Sequence, residues 1–377
     1  MNILYTLNSK NPGGMEQHVL DLVTQMIARG HDVFVWCNGG VIYDWYTRAG
    51  AKVTEKPIRN DIDLGYIREL KSFLKENKIE VVHAHELKAV VNTLMAAFLA
   101  GVKIRISHQH TPFVSWQVPK SKRLIYDLFY SILVNLLGSK EIALTASIKK
   151  AKISAGILAR KLAVIPNGID VYKFFVSENE RAMYRREVCK KYRLDPSTRI
   201  IGNLSRTTKE KGHDVLLKAL AKLISTKVIE REKFTLLICG GGELESSLWD
   251  LAESLGIKDR VIITGRFDDE LKIKFYSSFD YFVFPTLAEG FGIVLIEALI
   301  MGLPVLCSDL EVLKEVGESY PGYFRSGDFE DLAQKIADLI NLPLGGNREA
   351  QINHVKNKYS MEKFGENYHN LYRSLPA

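Results

Sequence analysis

The sequence contains few cysteines, and no two of them are close enough to form a C-x-x-C pair. This absence excludes a zinc-ribbon module and the disulfide framework of a small secreted domain. The four thiols are scattered along the chain, at Cys37, Cys189, Cys239 and Cys307. Because Cys37, Cys239 and Cys307 lie in apolar, strand-like runs, we expect buried free thiols and a reducing compartment.

The sequence also has no apolar run long enough to span a bilayer. Its most apolar stretch, Ala89–Val102, is interrupted by Asn92 and Thr93 and is shorter than the roughly 20 apolar residues that a spanning helix needs. The first residues, Asn2–Leu7, are typical of a strand and not of a basic segment followed by an apolar one, so we expect no signal peptide. The sequence therefore predicts a cytoplasmic protein.

Recognition patterns for nucleic acid are absent, although the chain is basic. The formal net charge is +7 and the pI is near 9.0. This charge favours an anionic partner such as a nucleotide or a phospholipid, with extra surface lysines as the equal alternative. Without a helix-turn-helix, RNP-like or zinc-finger pattern, we expect no nucleic-acid partner.

Strand-like and helix-like segments alternate along all 377 residues, a length for which two domains are expected. This alternation predicts an α/β protein with two Rossmann-like, doubly wound parallel sheets. We expect a first domain over residues 1–175, a polar connector over 176–197, a second domain over 198–355, and a terminal helix over 356–377 that packs back on the first domain. Because ligands bind at the carboxyl ends of parallel strands, the two domains would face a central cleft.

Short apolar runs bounded by turn residues mark the predicted strands. In the first half they are Ile3–Leu7, Asp32–Cys37, Val81–His85, Ile104–His108, Ile142–Ala146 and Leu162–Pro166. In the second half they are Arg199–Leu204, Phe234–Cys239, Val261–Thr264, Tyr281–Pro285 and Pro304–Cys307. The residues that directly follow these runs are the candidates for ligand binding.

One segment combines two acidic residues with a glycine-containing turn. Glu289 and Glu297 lie eight positions apart, and Gly290 and Gly292 bracket Phe291 between them. The segment follows an apolar strand and opens an apolar helix, where unpaired amides and the helix dipole favour an anion. A phosphate on these amides, with the two carboxylates reaching hydroxyls, would hold a sugar nucleotide.

Two further glycine-rich turns follow predicted strands. Gly13 and Gly14, followed by Glu16, open the first helix, and Gly241 and Gly242 follow the second strand of the second half. Glycine lets the backbone approach a ligand closely, although neither turn matches the G-x-G-x-x-G fingerprint. The alternative for both is a plain turn.

His108 and His110 lie at the end of a predicted strand and two positions apart, so both side chains point to one face. Either could reach a ligand in the cleft, and a structural histidine is the alternative for each. His83 and His85 end another strand, but the sequence shows no HExxH motif and no carboxylate at ligand spacing. We therefore predict no metal site.

Arg206 and Lys211 share the loop that follows the first strand of the second half. A guanidinium and an ammonium group suit a diphosphate, whose charge grows as it departs. Lys209, between them, is expected to be solvated. The alternative is a charged surface loop.

A basic segment precedes an apolar helical stripe. Lys120, Lys122 and Arg123 come directly before Leu124–Leu137, where apolar residues recur at helical spacing. Basic residues beside an amphipathic aromatic helix bind anionic membrane surfaces, which would place the protein peripherally at the inner face of the plasma membrane. The alternative is that the stripe belongs to the core.

Taken together, these motifs resemble the retaining, nucleotide-sugar-dependent glycosyltransferases of family four, which have the GT-B fold. The most specific element is Pro285–Gly292 with Glu289, followed by the typical stretch Glu297–Val305. Asn167–Asp170 and the Lys211-Gly212 pair agree in order and place. The chain departs from the family at Gly202-Asn203, where an arginine often follows the glycine, and in the Gly-Gly-Gly-Glu loop, where Gly-x-Gly-Pro is commoner.

The resemblance implies a role for each matching residue. Glu289 would bind donor sugar hydroxyls, Glu297 the ribose diol, and His110 the sugar in the transition state, with His108 as its competitor. The first-domain loop would approach the donor at Gly13 and Gly14. Arg206 and Lys211 would contact the departing phosphate. The amides near Phe291, Gly292 and Ile293 would bind the diphosphate. The loop with Gly241 and Gly242 would contact the base or ribose. Apart from the resemblance, we expect Glu16, His108, Lys120, Lys122 and Arg123 to serve the acceptor or the membrane.

The implied activity is transfer of a sugar, with retention, from a nucleoside diphosphate sugar to a hydroxyl of a glycan or lipid-linked acceptor in cell-envelope polysaccharide or glycolipid synthesis. UDP-sugar is the first expectation for the donor and GDP-sugar the second. No metal or other cofactor is expected, because cationic side chains can stabilise the leaving group. A nucleotide-sugar 2-epimerase on the same fold and a non-catalytic nucleotide-sugar-binding scaffold are the alternatives.

Overall fold

The computed structural model describes residues 1–110, 120–341 and 348–376, with the side chains of 120–124 left out. The chain divides into two compact units, each with its own parallel sheet. The first comprises Met1–Gly168 together with Met361–Ala377, and the second comprises Ile169–Ser360. The stretch 176–197 lies in the second unit.

The first unit is built on a seven-stranded sheet in the order β3-β2-β1-β4-β5-β6-β7, with every adjacent pair parallel. Its strands are β1 (Asn2–Thr6), β2 (Asp32–Cys37), β3 (Lys52–Glu55), β4 (Val81–His85), β5 (Ile104–His108), β6 (Lys140–Ala143) and β7 (Leu162–Val164). Its helices are α1 (Gly14–Ile27), α2 (Val41–Arg48), α3 (Leu64–Glu76), α4 (Leu87–Ala100), α5 (Lys120–Leu137), α6 (Ala146–Ser154) and the C-terminal α15 (Met361–Ser374).

Helices cover both faces of this sheet, which explains why its central strands are apolar at successive positions. Tyr5 of β1 packs with α1 and with the buried aromatic residues of α15, among them Tyr368 and Tyr372. Its neighbour Leu4 points to the opposite face and packs with α3 and α4. The aromatic C-terminal helix therefore completes the core of the first unit.

The second unit is built on a six-stranded parallel sheet in the order β10-β9-β8-β11-β12-β13. Its strands are β8 (Arg199–Leu204), β9 (Phe234–Cys239), β10 (Val261–Ile263), β11 (Tyr281–Phe284), β12 (Val305–Ser308) and β13 (Gly322–Phe324). Its helices are α7 (Glu178–Tyr192), α8 (His213–Ser225), α9 (Glu245–Ser254), α10 (Glu270–Ser278), α11 (Ile293–Ile300), α12 (Glu311–Gly317), α13 (Phe329–Ile340) and α14 (Arg348–Tyr359).

The two parallel-sheet α/β units confirm the predicted fold class, and the predicted strands are present with small shifts at their ends. Two strands, β3 and β13, were not predicted; both lie at a sheet edge. All four cysteines are buried and free. Within the described residues, no helix combines the length and apolarity required to cross a membrane.

Strand order reverses direction between β1 and β4 in the first sheet and between β8 and β11 in the second. Ligands of open α/β sheets bind at such switch points, outside the carboxyl ends of the strands. The loops after β1, β8 and β11 carry Gly13, Arg206, Lys211, Glu289, Phe291 and Gly292, and Gly14 and Ile293 begin the helices that follow. The fold therefore places the candidates where such sheets bind ligands.

Candidate functional site

Three loops of the second unit, those after β8, β9 and β11, are hydrogen-bonded to one another. Thr207, in the loop after β8, donates its backbone N–H to Gly241 O at 3.4 Å and accepts from Leu244 N at 3.0 Å. Leu287, after β11, donates its N–H to Glu210 O at 2.7 Å. Because β9, β8 and β11 are neighbours in the sheet, the predicted residues of all three loops share one edge.

Glycine is required where these loops touch. Gly212 has a φ of 64°, and a Cβ there would lie 2.1 Å from Pro285 O. A Cβ at Gly242 would lie 2.6 Å from Thr207 O. The β8 and β11 loops could not approach each other as closely with a larger residue at 212. Gly242 is likewise required by packing alone, whether or not a sugar donor binds there.

Lys211 and Glu289 form an ion pair at the centre of this edge. Lys211 Nζ lies 2.8 Å from Glu289 Oε2, and the two side chains are only 16% and 15% exposed. The ammonium group also lies 5.7 Å from the centre of the Phe284 ring. Lys211 is therefore largely shielded from solvent, and Glu289 supplies its counter-charge from a loop 78 residues away.

Arg206 occupies a different environment in the same loop. Its side chain is 75% exposed, and its guanidinium lies 3.6 Å from Glu210. Desolvation acts to raise the pKa of Glu210, but the Thr208 hydroxyl, Lys211 and Arg206 lower it overall. Arg206 is therefore a solvent-exposed cation that can turn toward a bound anion, whereas Lys211 is held in place.

Asn203 stands where the family that this chain resembles often has an arginine, and in the structure it makes hydrogen bonds within the second unit. Asn203 is fully buried. Its amide donates to Val283 O at 2.8 Å, and its Oδ1 accepts from Ser205 Oγ at 2.9 Å and from His213 Nε2 at 3.0 Å. Asn203 thus joins β8 to β11 and to the start of α8.

His213 was not singled out by sequence reasoning, although it directly follows the Lys211-Gly212 pair. Burial, with Lys211 as a further cause, lowers the pKa of His213 to about 4. The ring is therefore neutral and anchors the loop that carries Lys211.

Glu297 is 4% exposed and engaged by two side chains of α10. Its Oε1 accepts from Lys272 Nζ at 3.0 Å, and its Oε2 accepts from Tyr276 OH at 2.8 Å. Desolvation acts to lower the pKa of Lys272, but Glu297 and Asp269 raise it overall. Sequence reasoning missed Lys272 and Tyr276, because they lie in another helix and no local pattern connects them to Glu297.

The N-terminus of α11 lies between the two carboxylates. Gly292 precedes the helix with a φ of 87°, and no side chain caps it. Phe291 is buried against Tyr359, with ring centres 5.7 Å apart. The uncapped amides that begin at Ile293 offer hydrogen-bond donors and a positive dipole end to an anion.

In the first unit, the predicted loop after β1 leads into α1. A Cβ at Gly14 would meet nothing within 4 Å, so packing does not require glycine there. At Gly13, by contrast, a Cβ would lie 2.5 Å from a carboxylate oxygen of Glu16. Glu16 is buried, and its backbone oxygen accepts from Tyr46 OH at 3.1 Å. Glu16 therefore has a local structural role.

The same edge of the first sheet holds a cluster of four histidines: His18, His85, His108 and His110. The rings of His108 and His110 stack with centres 3.8 Å apart, and His85 Nδ1 lies 3.1 Å from His110 Nε2. Burial, followed by the charges of neighbouring groups, lowers the pKa of His85, His108 and His110 well below the usual histidine value. Sequence reasoning considered the strand ends and missed His18, which arrives from α1.

Helix α5 exposes the apolar stripe that follows the predicted basic segment. Lys120 begins α5, but the side chains of Lys120, Lys122 and Arg123 lie outside the described set. Further along, one face points into the core through Tyr130, Leu133 and Val134. The opposite face is largely exposed and consists of Ile125, Leu128, Phe129, Ile132 and Leu136, with Leu136 at 71%. We call this face the α5 stripe; its exposure argues against the core alternative.

Comparison with known proteins gives consistent matches in both units. Residues 12–173 match the family model described as Glycosyltransferase Family 4, and residues 185–358 match the model described as Glycosyl transferases group 1. Together the two matches account for most of the chain.

Individual relatives and solved structures are similar over nearly the whole length. The capsular polysaccharide biosynthesis glycosyltransferase CapM of Staphylococcus aureus is 27% identical over 85% of this chain and 84% of its own. The phosphatidyl-myo-inositol mannosyltransferase of Mycolicibacterium smegmatis is 29% identical over 81% and 75%. A crystal structure of Anabaena Alr3699/HepE in complex with UDP and glucose is 21% identical, covers both chains fully and has a TM-score of 0.84, which shows a common fold.

Proposed function

The chain belongs to glycosyltransferase family 4, and on that basis we propose that it transfers a sugar, with retention of configuration, from a nucleoside diphosphate sugar to a hydroxyl group. The names of two relatives, a capsular polysaccharide glycosyltransferase and a phosphatidyl-myo-inositol mannosyltransferase, support a role in cell-envelope polysaccharide or glycolipid synthesis. The observation that carries the proposal is the Lys211–Glu289 ion pair, with side chains only 16% and 15% exposed, beside the uncapped N-terminus of α11.

This arrangement suits a sugar diphosphate. The diphosphate would bind to the α11 amides around Phe291, Gly292 and Ile293, with Lys211 donating to it. Glu289 would then exchange its bond with Lys211 for hydroxyls of the donor sugar. Lys211 is already desolvated and oriented, so its charge would act more strongly on the departing phosphate than a solvated lysine could.

Glu297 would bind the ribose diol. Its carboxylate oxygens are held by Lys272 and Tyr276, which fixes their direction and leaves further lone pairs for hydroxyl donors. Gly241 and Gly242 would contact the base or ribose. Arg206 would close over the phosphates from its exposed position.

For the first unit, we propose the roles that the family resemblance implies. The absence of any packing contact at the Gly14 Cβ position supports close approach of a ligand there. His110 would contact the donor sugar. His108 is fully buried with its ring against His110, so it fits a supporting role better than direct ligand contact.

A front-face mechanism agrees with these assignments. Lys211 and Arg206 would stabilise the leaving diphosphate, and a leaving-phosphate oxygen would take the proton of the attacking hydroxyl. Because two cations and helix amides meet the phosphate charge, we propose that transfer needs no metal ion. Transfer with unchanged rate in EDTA would support this part of the proposal, and loss of transfer would overturn it.

For the donor we propose a UDP-sugar first and a GDP-sugar second. The HepE complex holds UDP and glucose, whereas another relative is described as GDP-mannose-dependent. The exposed α5 stripe favours an acceptor at a lipid surface, so we propose a lipid-linked acceptor and a peripheral position at the inner face of the membrane. A soluble glycan is the second acceptor.

A thermal-shift panel of UDP-, GDP- and ADP-sugars tests the donor proposal, since a ligand that binds only the folded state raises the melting temperature. We expect a shift with one nucleotide that is unchanged by EDTA. The same shift should be smaller in Lys211→Met and intact in Lys209→Met, an exposed lysine of the same turn. No shift with any donor would favour the scaffold alternative, and donor conversion without acceptor would favour the epimerase.

A further inference from the structure

The histidine cluster of the first unit brings together donor atoms from three separate parts of the fold. His18 comes from α1, His85 from the end of β4, and His108 and His110 from the end of β5 and the residues after it. One ring nitrogen of each residue lies within 4.8 Å of the corresponding nitrogens of the other three. His18, His85 and His108 are buried, and His110 is partly exposed. Such convergence requires the assembled sheet.

Hydrogen bonding within the described residues leaves several of these nitrogens without a partner. His85 Nε2 and both ring nitrogens of His108 are buried and unpaired. Leaving a buried polar atom unpaired costs about 1–3 kcal/mol, so such atoms in native proteins usually have a ligand or water. Neutral imidazole presents one lone pair per ring. The His18 lone pair has Tyr368 OH at 3.4 Å and His85 and His110 share one hydrogen bond, whereas neither nitrogen of His108 has a partner among the described residues. The four lone pairs converge. A cation would satisfy them together.

The geometry around the cluster resembles that of a transition-metal site. His85 Nδ1 and His110 Nε2 are 3.1 Å apart, close to the roughly 3.3 Å between two nitrogens that share a tetrahedral zinc ion at 2.0–2.1 Å. His18 Nδ1 donates to Asn167 Oδ1 at 2.9 Å, so Nε2 carries the lone pair; it accepts a long hydrogen bond from Tyr368 OH at 3.4 Å, which a metal ion would replace. A histidine ligand typically donates its other N–H to an oxygen in this way.

We propose that His18, His85, His108 and His110 form a binding site for one borderline transition-metal cation of the zinc, nickel or copper class. Nitrogen-only ligation favours these ions over magnesium, calcium and manganese, which prefer oxygen donors. The widest separation of 4.8 Å means that small side-chain rotations accompany binding. This site is distinct from the phosphate-binding edge of the second unit, which uses cationic side chains.

A functional consequence rests on the proposed function. His110 is both a cluster member and the residue that we assign to the donor sugar. A metal ion that takes the His110 lone pair would withdraw the ring from the sugar. Occupancy would therefore inhibit transfer, and a chelator would restore it.

The test uses the full chain after dialysis against EDTA and removal of the chelator. Co²⁺ serves as the spectroscopic probe, because nitrogen ligation in a tetrahedral site produces strong visible absorption, and Zn²⁺ serves for calorimetry. The test variants are His85→Gln and His110→Gln, the second at a partly exposed position that is less liable to unfold. The control is His31→Gln/His369→Gln, which removes a second histidine pair, 2.9 Å apart, from outside the cluster.

We expect one metal ion per chain, with affinity about tenfold to hundredfold weaker in either cluster variant and unchanged in the control. Absence of Co²⁺ absorption and of Zn²⁺ binding in the wild type would overturn the proposal, as would equal losses in the control. Zinc inhibition of transfer is measured separately. Binding without inhibition would keep the metal site and remove His110 from the transfer step.

Discussion

The Lys211–Glu289 ion pair allows stability and catalysis to be separated. Lys211→Met removes the charge and keeps the apolar stem, Glu289→Gln removes the opposite charge, and the double variant removes both. Exposed ion pairs contribute about 0–1 kcal/mol, whereas breaking a buried pair costs about 3–5 kcal/mol. With both side chains about 15% exposed, we expect Lys211→Met to lose about 2 kcal/mol of unfolding free energy. The double variant should recover most of this loss, because no charge is left alone.

Turnover, unlike stability, should not recover in the double variant. Removing one group that stabilises a developing anion costs about 10²–10³ in rate, or about 2.7–4 kcal/mol. Lys211→Met should therefore lose that factor, and the double variant should be at least as slow, since it also lacks the carboxylate proposed for the sugar. A gain in stability without a gain in turnover is the signature of a lysine that acts on the phosphate.

Urea unfolding gives the stability changes, and release of nucleotide from the donor in the presence of acceptor gives turnover. Lys209→Met is the matched control, since Lys209 is exposed in the same turn; it should change unfolding free energy by less than about 0.5 kcal/mol. If the double variant regained turnover along with stability, Lys211 would serve only to neutralise Glu289. Unchanged turnover in Lys211→Met would refute the phosphate role directly.

Four other predictions follow from single contacts. Glu297→Gln should weaken UDP binding by calorimetry, and unaltered affinity would contradict the ribose assignment; Glu311→Gln is the control. Gly212→Ala should lower unfolding free energy by more than about 2 kcal/mol, because position 212 has a positive φ and a Cβ there would lie 2.1 Å from a backbone oxygen. The control is Gly256→Ala, at a position that has a positive φ but no such contact. An equal loss in the control would show that the contact with the backbone oxygen is not the cause. The pKa of His213 falls from 6.5 to about 4 on folding, so its contribution to stability is fully present above pH 6.5, and up to about 3 kcal/mol of unfolding free energy is lost as the pH falls to 4. In urea unfolding measured at several pH values, His213→Gln should lack this pH dependence. The same pH dependence in wild type and variant would refute the prediction. Leu128→Ser/Leu136→Ser in the α5 stripe should reduce binding to anionic vesicles in a flotation assay, while Leu64→Ser, an exposed leucine elsewhere, should not; equal binding by all three proteins would argue for a soluble acceptor.

The central strands were predictable because each is a continuous apolar run with helices on both faces. β1 and β8 are examples, and both were located from sequence within a residue or two. The edge strands β3 and β13 were not predicted. Lys52–Glu55 is polar and partly exposed, and Gly322–Phe324 is only three residues long. Such strands form because a neighbouring strand offers a ladder of hydrogen bonds, and that neighbour is distant in sequence.

The candidate site likewise has a part that could be predicted from the sequence and a part that could not. Glu289, Gly292 and Glu297 belong to one strand–turn–helix segment, so their spacing alone indicated an anion cradle with two carboxylates. Their partners could not be read from spacing. Lys211 reaches Glu289 across 78 residues, and Lys272 reaches Glu297 across 25.

The exposure of the α5 stripe also depended on tertiary packing. The helical period is visible in sequence, but an apolar stripe can face either a core or solvent. The structure uses Tyr130, Leu133 and Val134 for the core and leaves the wider stripe outside. The number of neighbouring elements available to cover a face decides this, and no local pattern records it.

By itself, the sequence determined the alternation of strands and helices and the glycine-containing turn between Glu289 and Glu297, because each depends on the local residue pattern. That alternation in turn predicted parallel sheets. Tertiary structure alone decided which charges are paired, that His18 joins His85, His108 and His110, and which apolar stripe remains exposed. These properties depend on strand order and on contacts between segments far apart in the chain, where distance and burial set the electrostatic energy.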